Sequence, residues 1–590
     1  MPPEPLIVAN ASGFYGDRFT APEEVLRGGP VHVITGDYLA ELTMAILHRA
    51  RLKDARLGYA TTFLAQLERI LGECLERGVR VVTNAGGLNP RGLAAAVQAL
   101  AGKLGLSPRV AVVEGDDITA RIGALEAAGE PLAHLDRGAS LRDARDVGAR
   151  VVAASAYLGG WGIREALARG ADIVICGRVA DAALVLGPAA HHFGWARDDW
   201  DRLAGAVAAG HIVECGAQAT GGNYAFFEEV PGLARVGFPL AEIREDGSFV
   251  ITKHPGTGGL VSVGTVTAQL LYEIDAPRYL TPDVTARFDA LELRDDGPDR
   301  VLVTGARGEP PPPALKAGVL LARGYRGTVS FLLAGLSVER KAALIEEALF
   351  AAVGGREPFT SAEARLIRRP HPDPASYEDA IAELRVTVTS PDPERVGRRF
   401  TGRAVELALA TVPGVTLTAP PGDATPEIVF WPCLVGREHV EEQVILDDQP
   451  IPIPPPATGA PAASITSPEP PAEPAPPAQE PRERAPLGRF FGARSGDKGG
   501  NANLGVWARS DAAYAFLRAF LTIDRLREIL PEAAPFPIRR HELPNLRALN
   551  FVICGLLGDG VGASARVDPQ AKTLSELFRA RIVEIPRSLL

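Results

Sequence analysis

Short apolar runs alternate with helical patterns along the first 200 residues. The apolar runs have the length of buried strands, and amphipathic stretches such as 39–50 and 62–77 lie between them. This alternation predicts a mostly parallel sheet covered by helices, which is an α/β fold. The predicted strands are 6–9, 31–35, 79–83, 110–113, 151–154 and 173–176.

A second pattern begins near residue 205 and continues to about 450. It consists of strand-rich stretches joined by turns, with helical patterns at 338–353 and 397–411, and indicates an α+β portion. Periodicity leaves open whether this portion is a separate unit beyond a sub-boundary near 205 or completes the first sheet. We therefore treat residues 1–450 as one predicted domain.

The clearest boundary is a stretch rich in Pro and Ala over residues 451–486, which has almost no large side chain to bury. It predicts an extended linker. The remaining residues, 487–590, have the length of one small domain. Two strands and two or three helices are predicted there, including a glycine-rich loop around 493–505 and helices at 511–520, 523–530 and 572–580, so we expect a compact α/β sandwich.

Charge and composition exclude several classes of partner. The formal net charge is -10, so no overall positive charge would attract nucleic acid. No segment approaches the roughly 18 apolar residues of a membrane span, and the N-terminus lacks a basic region followed by an apolar run. The five cysteines form no CxxC pair, which fits a reducing compartment. We expect a cytoplasmic homo-oligomer.

Carboxylates follow two of the predicted strands, where ligands bind in open α/β sheets. Asp37 follows the second strand, and Asp116 and Asp117 follow the fourth. Paired acids can raise one another's pKa and serve as general acid and base, but helix N-caps use the same residue type at the same places. The convergence of several such turns favours a catalytic role.

Glycine-rich turns after other predicted strands offer binding groups. Ser12 and Gly13 open the turn after the first strand, where backbone N–H groups could hold an anion or simply form a tight turn. Asn84, Gly86 and Gly87 form the turn after the third strand. Asn84 could hold a carbonyl oxygen or have a structural role.

Charged side chains in three further segments complete the predicted site. Arg178 and Asp181 follow the sixth strand, where the arginine could grip a carboxylate or phosphate, or the two could form an ion pair. His254 is a candidate proton carrier or a structural loop histidine. The glycine-rich loop of the tail adds four further candidate residues. They could bind phosphate, seal the crevice at the strand ends or form an oligomer contact, and they are Arg494, Ser495, Asp497 and Lys498.

No cofactor is specified by the motifs. The sequence has no dinucleotide fingerprint, P-loop, zinc spacing or GxSxG elbow, so no nucleotide, flavin, zinc or covalent hydrolase chemistry is indicated. No metal ligand set is predicted, although carboxylates from different strands can hold Mg²⁺ or Ca²⁺ without a recognisable spacing. The cofactor is therefore left unknown.

Several segments taken together resemble one family. They are TNAGGLNP, VVEGDD, ALARGADIVICGRVADAALVLGP, VECGAQATGG and TKHPGTGGLVSVGTVTAQLLYEI before the linker, and RSGDKGGNANLG, LPNLRALNFV and DPQAKTL after it. These segments are similar to the acyclic terpene utilisation AtuA family. The resemblance implies a large AtuA domain followed by a ferredoxin-like domain, and a place in bacterial breakdown of citronellol and geraniol through coenzyme A thioesters. It implies no catalytic role for any residue.

Two functions are compatible with these observations. The leading hypothesis is an enzyme that acts on an acyl-CoA or a small carboxylic acid in a crevice at the strand ends, by hydration, hydrolysis or lyase chemistry without a redox cofactor. The alternative is a non-catalytic binding or assembly subunit that partners an enzyme of a coenzyme A pathway. Its tail would then be the docking module.

Overall fold

Strands and helices alternate through the first 213 residues of the computed structural model, which describes residues 3–146, 148–368, 373–459 and 481–589. The strands are β1 (Leu6–Asn10), β2 (Val33–Gly36), β3 (Arg80–Thr83), β4 (Val110–Glu114), β5 (Arg150–Ala156) and β6 (Ile173–Cys176). The helices are α1 (Ala21–Gly28), α2 (Glu41–Lys53), α3 (Thr61–Arg77), α4 (Pro90–Leu104), α5 (Ile122–Ala127), α6 (Leu141–Asp146), α7 (Trp161–Ala168), α8 (Ala183–Phe193) and α9 (Trp200–Val213).

Five of these strands lie side by side and parallel, in the order β1, β2, β3, β6, β4. Every residue of β2 and β6 is buried, as expected for strands covered by helices on both faces. Alternate residues of β3 face different cores, with Val82 in the larger core and Val81 in the core beneath α3 and α4. The predicted α/β class is confirmed.

The second part of the chain is richer in strands. Its strands are β7 (Pro239–Ile243), β8 (Phe249–Lys253), β9 (Arg278–Leu280), β10 (Thr285–Arg287), β11 (Glu292–Asp295), β12 (Arg300–Thr304), β13 (Gly308–Glu309), β14 (Ala314–Ala334), β15 (Ser361–Arg368), β16 (Ile381–Ser390), β17 (Val415–Leu417), β18 (Thr425–Gly436), β19 (Gln443–Leu446) and β20 (Gln449–Pro452). Its helices are α10 (Val263–Leu270), α11 (Val338–Ala352), α12 (Tyr377–Ala380), α13 (Pro393–Val396) and α14 (Arg398–Glu406).

This second part completes the first sheet and also builds another. Strands β7, β8, β12 and β11 extend the first sheet beyond β1, while β19 and β20 extend it beyond β4, so the sheet has 11 strands. These additions are antiparallel to their neighbours. The long strand β14 organises a second, six-stranded sheet with β5 and β15 to β18.

Strand β5 differs from the sequence-based expectation. Residues 151–154 do form a strand, but it pairs antiparallel with β14 and lies outside the parallel sheet, with Ala154 opposite Val319. Its side chains pack in a separate core with Leu315, Val319 and Trp431. Periodicity identifies a buried strand but cannot identify its partner, which here lies more than 150 residues away in the sequence.

The tail forms an antiparallel sheet with helices. Its strands are β21 (Arg482–Pro486), β22 (Phe491–Lys498), β23 (Asn501–Ala508), β24 (Ile538–Leu543), β25 (Ala548–Ile553) and β26 (Ile582–Pro586), and its helices are α15 (Asp511–Phe520), α16 (Ile523–Ile529) and α17 (Leu574–Ala580). The sheet order is β22-β23-β25-β24, with β21 paired to β26. The core of the tail contains Phe491, Phe551 and Phe578. Residues 460–480 of the predicted linker lie outside the described residues, and its described ends form β20 and β21.

The stretch predicted as a glycine-rich loop is instead the hairpin of β22 and β23. Its glycines make room for side chains of the preceding domain. A Cβ at Gly496 would lie 2.6 Å from the Tyr272 ring, and a Cβ at Gly505 would lie 2.6 Å from Leu271 Cβ. Glycine here permits close packing of the tail on the rest of the chain, a use that sequence alone does not distinguish from a loop.

The tail is held to the preceding domain by polar and apolar contacts. The Asn503 side-chain oxygen accepts from the Glu273 backbone N–H at 2.9 Å, and Asn545 Nδ2 donates to the backbone oxygen of Phe288 at 2.8 Å. Trp507 belongs to the largest core cluster, which lies mainly in the preceding domain. Among the described helices, none has the length and apolar character needed to cross a bilayer.

Candidate active site

Two polar side chains meet where parallel strands β2 and β3 end. Asn84 Nδ2 donates to Asp37 Oδ1 at 2.7 Å, and the Asn84 side-chain oxygen accepts from the Tyr38 N–H at 2.8 Å. The backbone N–H of Asp37 donates to the oxygen of Ser12 at 2.9 Å, which ties in the turn after β1. Asp37 and Asn84 are both buried. The predicted convergence of these strand-end turns is therefore present.

An arginine from the end of β6 lies beside them. Arg178 is buried, donates to Asp181 at 2.8 Å and lies with its guanidinium carbon 4.1 Å from the centre of the Tyr157 ring. Asp181 keeps 29% of its side chain exposed, so this ion pair reaches solvent on one side. A cation held over an aromatic face and paired on one edge can still bind a further anion.

Asp116 holds the turn that carries Arg178. Its Oδ2 accepts from the Arg178 backbone N–H at 2.8 Å, and Gly177 fits so closely that a Cβ there would lie 2.4 Å from the carboxylate. Burial raises the pKa of Asp116 to about 7. The contacts of this carboxyl identify it as a group that positions Arg178.

Glu214, at the end of α9, brings another carboxyl to this place. Its Oε1 lies 3.1 Å from His211 Nδ1, while its Oε2 is buried without a hydrogen-bond partner among the described residues. Burial and the nearby Asp181 raise the pKa of Glu214 well above its usual value, and the same two causes raise the pKa of Asp37. Burial and this like charge therefore favour the protonated form of both carboxyls.

Three lysines face these carboxyls. Lys316 comes from β14 and lies 4.0 Å from Glu41. Lys498 comes from the β22–β23 hairpin, with its Nζ 5.9 Å from the centre of the Tyr279 ring. Lys572 precedes α17 and forms ion pairs with Glu273 at 2.7 Å and Asp497 at 3.2 Å. Two of the three lysines belong to the tail.

These groups line one crevice between the main domain and the tail. Burial lowers the pKa of Lys498, and Lys316 lowers it further, whereas Lys572 lowers the pKa of Glu273 against the effect of burial. Yet about a third of the Lys316 side chain remains exposed. Charged side chains that are surrounded by protein and still reach solvent are typical of a ligand site. The crevice is lined by Asp37, Glu41, Tyr157, Arg178, Asp181, Glu214, Glu273, Tyr279, Lys316, Asp497, Lys498 and Lys572.

Arg494 and Ser495 have contacts that hold the tail in place. Arg494 is buried, hydrogen-bonds to Gln218 and lies 4.4 Å from the centre of the Tyr272 ring. Ser495 donates to the backbone oxygen of Ala571 at 2.6 Å within the tail. Both side chains therefore support the wall of the crevice that carries Asp497 and Lys498.

Two predicted catalytic residues, Asp117 and His254, have surroundings unlike those of the crevice carboxyls. Asp117 is exposed and its Oδ1 accepts from the Thr119 N–H at 2.9 Å, which is an Asx turn. His254 is buried against Gly28 and Gly29, and its Nε2 lies 2.8 Å from the backbone oxygen of Val25. The described contacts of His254 are with α1, so they give it no route to the crevice carboxyls.

The glycines predicted to bind a ligand instead allow close approach of backbones. A Cβ at Gly13 would lie 2.5 Å from the Cys215 carbonyl carbon, and one at Gly86 would lie 2.4 Å from the Cys176 oxygen. Gly87 adopts a φ of +51° and faces Leu47. Ser12 donates to the Phe14 backbone oxygen at 3.0 Å. These contacts are made within the protein, between neighbouring segments of the main domain.

Glu214, Glu273, Lys316 and Lys572 did not emerge from the sequence analysis as candidates. Glu273 and Lys572 lie within the segments YEI and QAKTL, which carry the family resemblance. The resemblance is therefore the one feature of the sequence that points to these two residues. Lys316 lies in the middle of an apolar strand and had no such signal. Among the described residues, the side chains close enough to share a cation are Glu130, Glu438 and His439, and none of them lines the crevice.

Comparison with protein families accounts for both domains. The model of the acyclic terpene utilisation family protein AtuA matches residues 6–446, and that of the AtuA ferredoxin-like domain matches residues 485–584. The chain belongs to the AtuA family. Comparison with curated proteins and with solved structures gives no match. Membership of the AtuA family associates the chain with acyclic terpene utilisation, and the crevice lies where the two AtuA regions meet.

Proposed function

We propose that the chain is an enzyme that acts on an acyl-CoA or a small carboxylic acid by acid/base chemistry without a redox cofactor. The observation that carries this proposal is that buried carboxyls with raised pKa values meet lysine amines in one crevice, where about a third of the Lys316 side chain reaches solvent. Asp37 and Glu214 supply the carboxyls, and Lys316 and Lys498 supply the amines. Hydration, hydrolysis and lyase reactions all need a proton donor close to a group that holds an anion.

The amines fit the charge of the substrate. A carboxylate, or the oxygen of a thioester carbonyl as it becomes negative, would be stabilised by Lys316 and Arg178, which are held within the protein and directed by fixed partners. Each of these cations is already held in place, Arg178 by Asp181 and Lys316 by the Tyr157 ring at 4.8 Å. Preorganised cations stabilise charge that develops during a reaction without the cost of rearrangement.

The carboxyls fit the acid/base role. A carboxyl that keeps its proton at neutral pH can donate it to a leaving oxygen or to carbon, and can recover it in the next step. Glu214 carries an unpartnered Oε2, and Asp37 is oriented by Asn84. We assign general acid/base chemistry to these two side chains, while Asp116 positions Arg178.

Family membership suggests the chemical context of the substrate. In acyclic terpene utilisation, branched acyl-CoA thioesters are the substrates that we propose. The five unpaired cysteines support a cytoplasmic location, and we propose a homo-oligomer in solution. The docking of the tail on its own main domain, through Trp507 and Asn545, favours a wall of the crevice over a free docking module.

The experiment is mass-spectrometric turnover of linear and methyl-branched CoA thioesters, together with the free acids, by the purified full-length protein. Conversion of one thioester or acid is expected, and its mass change would identify the reaction. Absence of conversion across the panel would contradict the proposal and favour the binding-subunit alternative. Light scattering on the same sample would test the homo-oligomer.

A further inference from the structure

Lysine is rare in this chain and concentrated in the crevice. The 590 residues include seven lysines and 55 arginines, and three of the seven lysines line the crevice. Arginine stays protonated in proteins, whereas a lysine amine can lose its proton and act as a nucleophile. Because the chain carries most of its positive charge on arginine, three lysines at one site indicate a need for an amine.

The three lysines differ in how they are partnered. Lys572 forms ion pairs with Glu273 and Asp497, and Lys316 lies 4.0 Å from Glu41. Lys498 Nζ has neither a hydrogen bond nor an ion pair with any described residue, and it lies 5.9 Å from the centre of the Tyr279 ring. A partly buried amine without a carboxylate partner is the one of the three that is free to react.

The backbone around Lys498 is fixed. Lys498 is the last residue of β22, and the turn to β23 passes through Gly499, which has a φ of +63°. A Cβ at Gly500 would lie 2.3 Å from the Gly558 oxygen, so this turn is packed against the 555–560 segment. The amine is therefore presented from a rigid hairpin, as a nucleophile requires.

The surroundings of Lys498 favour its neutral form. Burial and the positive charge of Lys316 lower the pKa of the amine. The negative charge of Glu273, which follows α10 in the chain, raises it. Each unit by which the pKa falls increases the neutral fraction at neutral pH about tenfold. The charged and titratable groups that act on Lys498 across the crevice are Glu41, His211, Glu214, Glu273, Tyr279 and Lys316.

We propose that Lys498 Nζ forms a covalent imine with the carbonyl carbon of a small keto acid or keto-acyl substrate. This inference rests on the proposed function, because it uses the same crevice, and it narrows the substrate class to compounds with a ketone or aldehyde group. The carboxylate or thioester end of such a substrate would lie toward Lys316 and Arg178. The imine would serve lyase chemistry.

The atoms of this step balance without a further reactant. The neutral amine attacks the carbonyl carbon, a C–N bond forms, and the carbonyl oxygen takes protons and leaves as water. The amine nitrogen supplies one proton, and the other comes from a protonated carboxyl of the crevice, for which Glu214 is suited by its unpartnered Oε2. The nitrogen keeps its second proton, so the product is the protonated imine, a cation that accepts electrons from an adjacent C–C bond. Hydrolysis then returns the free amine and gives the carboxyl its proton back.

The experiment is borohydride trapping with acetoacetate as the probe, followed by peptide mass spectrometry of the full-length protein. A reduced adduct at Lys498 is expected, at least about tenfold above that at the exposed Lys103, because the neutral amine fraction sets the rate. Pulse acetylation across a pH series on the same protein should show Lys498 reacting at lower pH than Lys103.

Two variants show which amine reacts. Lys498→Arg keeps the positive charge and should abolish the adduct, whereas Lys103→Arg should leave it unchanged. Trapping at Lys316 or Lys572 in place of Lys498, or no adduct in the folded wild-type protein, would overturn the proposal. Conversion of a CoA thioester without any adduct would leave the proposed function standing and reject only the imine.

Discussion

Two places in this protein bury carboxyls whose pKa is raised, and their surroundings differ. In the crevice, Glu214 has an unpartnered Oε2 and faces amines. At the start of α7, which we call the helix site and define by Asp283 and Glu442, each carboxyl accepts from a backbone N–H at 2.9 Å, Asp283 from Gly160 and Glu442 from Gly162. The helix site thus uses its carboxyls to satisfy a helix start.

The cavity at the helix site is small. The cavity beside the helix site measures about 30 Å³ and has room for water only. Burial raises the pKa of Glu442 to about 8 and that of Asp283 to about 6. A perturbed pKa alone therefore does not identify a catalytic group in this chain. An unpartnered carboxyl oxygen occurs in both places, at Glu214 Oε2 and at Asp283 Oδ1. What separates the crevice from the helix site is the presence of lysine amines beside its carboxyls.

The largest expected effect is on turnover when a crevice carboxyl is changed. Asp37→Asn keeps the size and the acceptor of the side chain but cannot transfer a proton, so we expect turnover to fall about 10²- to 10⁴-fold. The measurement is the rate of conversion of the thioester that the panel identifies, with melting temperature as the test of folding. Asp117→Asn, in the exposed Asx turn, is the matched control and should keep its activity. Equal activity of the two variants would contradict the assignment.

The next effect concerns stability at the helix site. The pKa of Glu442 is about 8 in the folded protein against an ordinary 4.5. Between these values the folded state holds a proton that the unfolded state has released, so the free energy of unfolding falls as the pH rises from about 4.5 to about 8. Glu442→Gln still accepts from Gly162 and needs no proton, so its stability should exceed that of wild type increasingly with pH, by up to about 1.4 kcal/mol per pH unit.

Urea unfolding of both proteins at pH 5, 6.5 and 8 measures this difference. The two curves should converge at the lowest pH and separate at the highest. Parallel pH dependence of wild type and Glu442→Gln would show that Glu442 is not protonated in the folded protein.

The smallest effect comes from the arginine beside the helix site. Arg197 lies with its guanidinium carbon 4.7 Å from the Trp161 ring. Arg197→Ala should lower the free energy of unfolding by about 0.5–1 kcal/mol, the contribution of an exposed cation–π contact. Turnover should not change, because the helix site takes no part in the reaction. A loss of turnover comparable to that of Asp37→Asn would contradict the claim that the reaction takes place in the crevice and not at the helix site.

The sequence predicts the part of the crevice that is formed by residues at the ends of the parallel strands. Asp37, Asn84, Arg178 and Asp181 each follow a parallel strand, and the carboxyl ends of parallel strands meet at one edge. The strands and helices of this region are predicted for the same reason. Their alternation is a local property of the chain.

The other part depends on long-range contacts. Lys316 reaches the crevice because β14 pairs with β5, and Lys498 reaches it because the tail docks there. Nothing in local periodicity specifies either arrangement. His254 also follows a strand, but its side chain packs against α1, which agrees with the structural alternative that the sequence left open. Residue type and position at a strand end therefore predict proximity, but not the direction in which a side chain points.

The most direct test compares one carboxyl from each place in the same assay. Glu214→Gln and Glu442→Gln make the same chemical change in two buried sites, and each is assayed beside wild type for conversion of the CoA thioesters and free acids. We predict that Glu442→Gln converts the substrate as wild type does, and that Glu214→Gln is folded but converts it at least about a hundredfold more slowly. Equal turnover by the two variants, or loss in Glu442→Gln alone, would contradict the placement of the chemistry in the crevice.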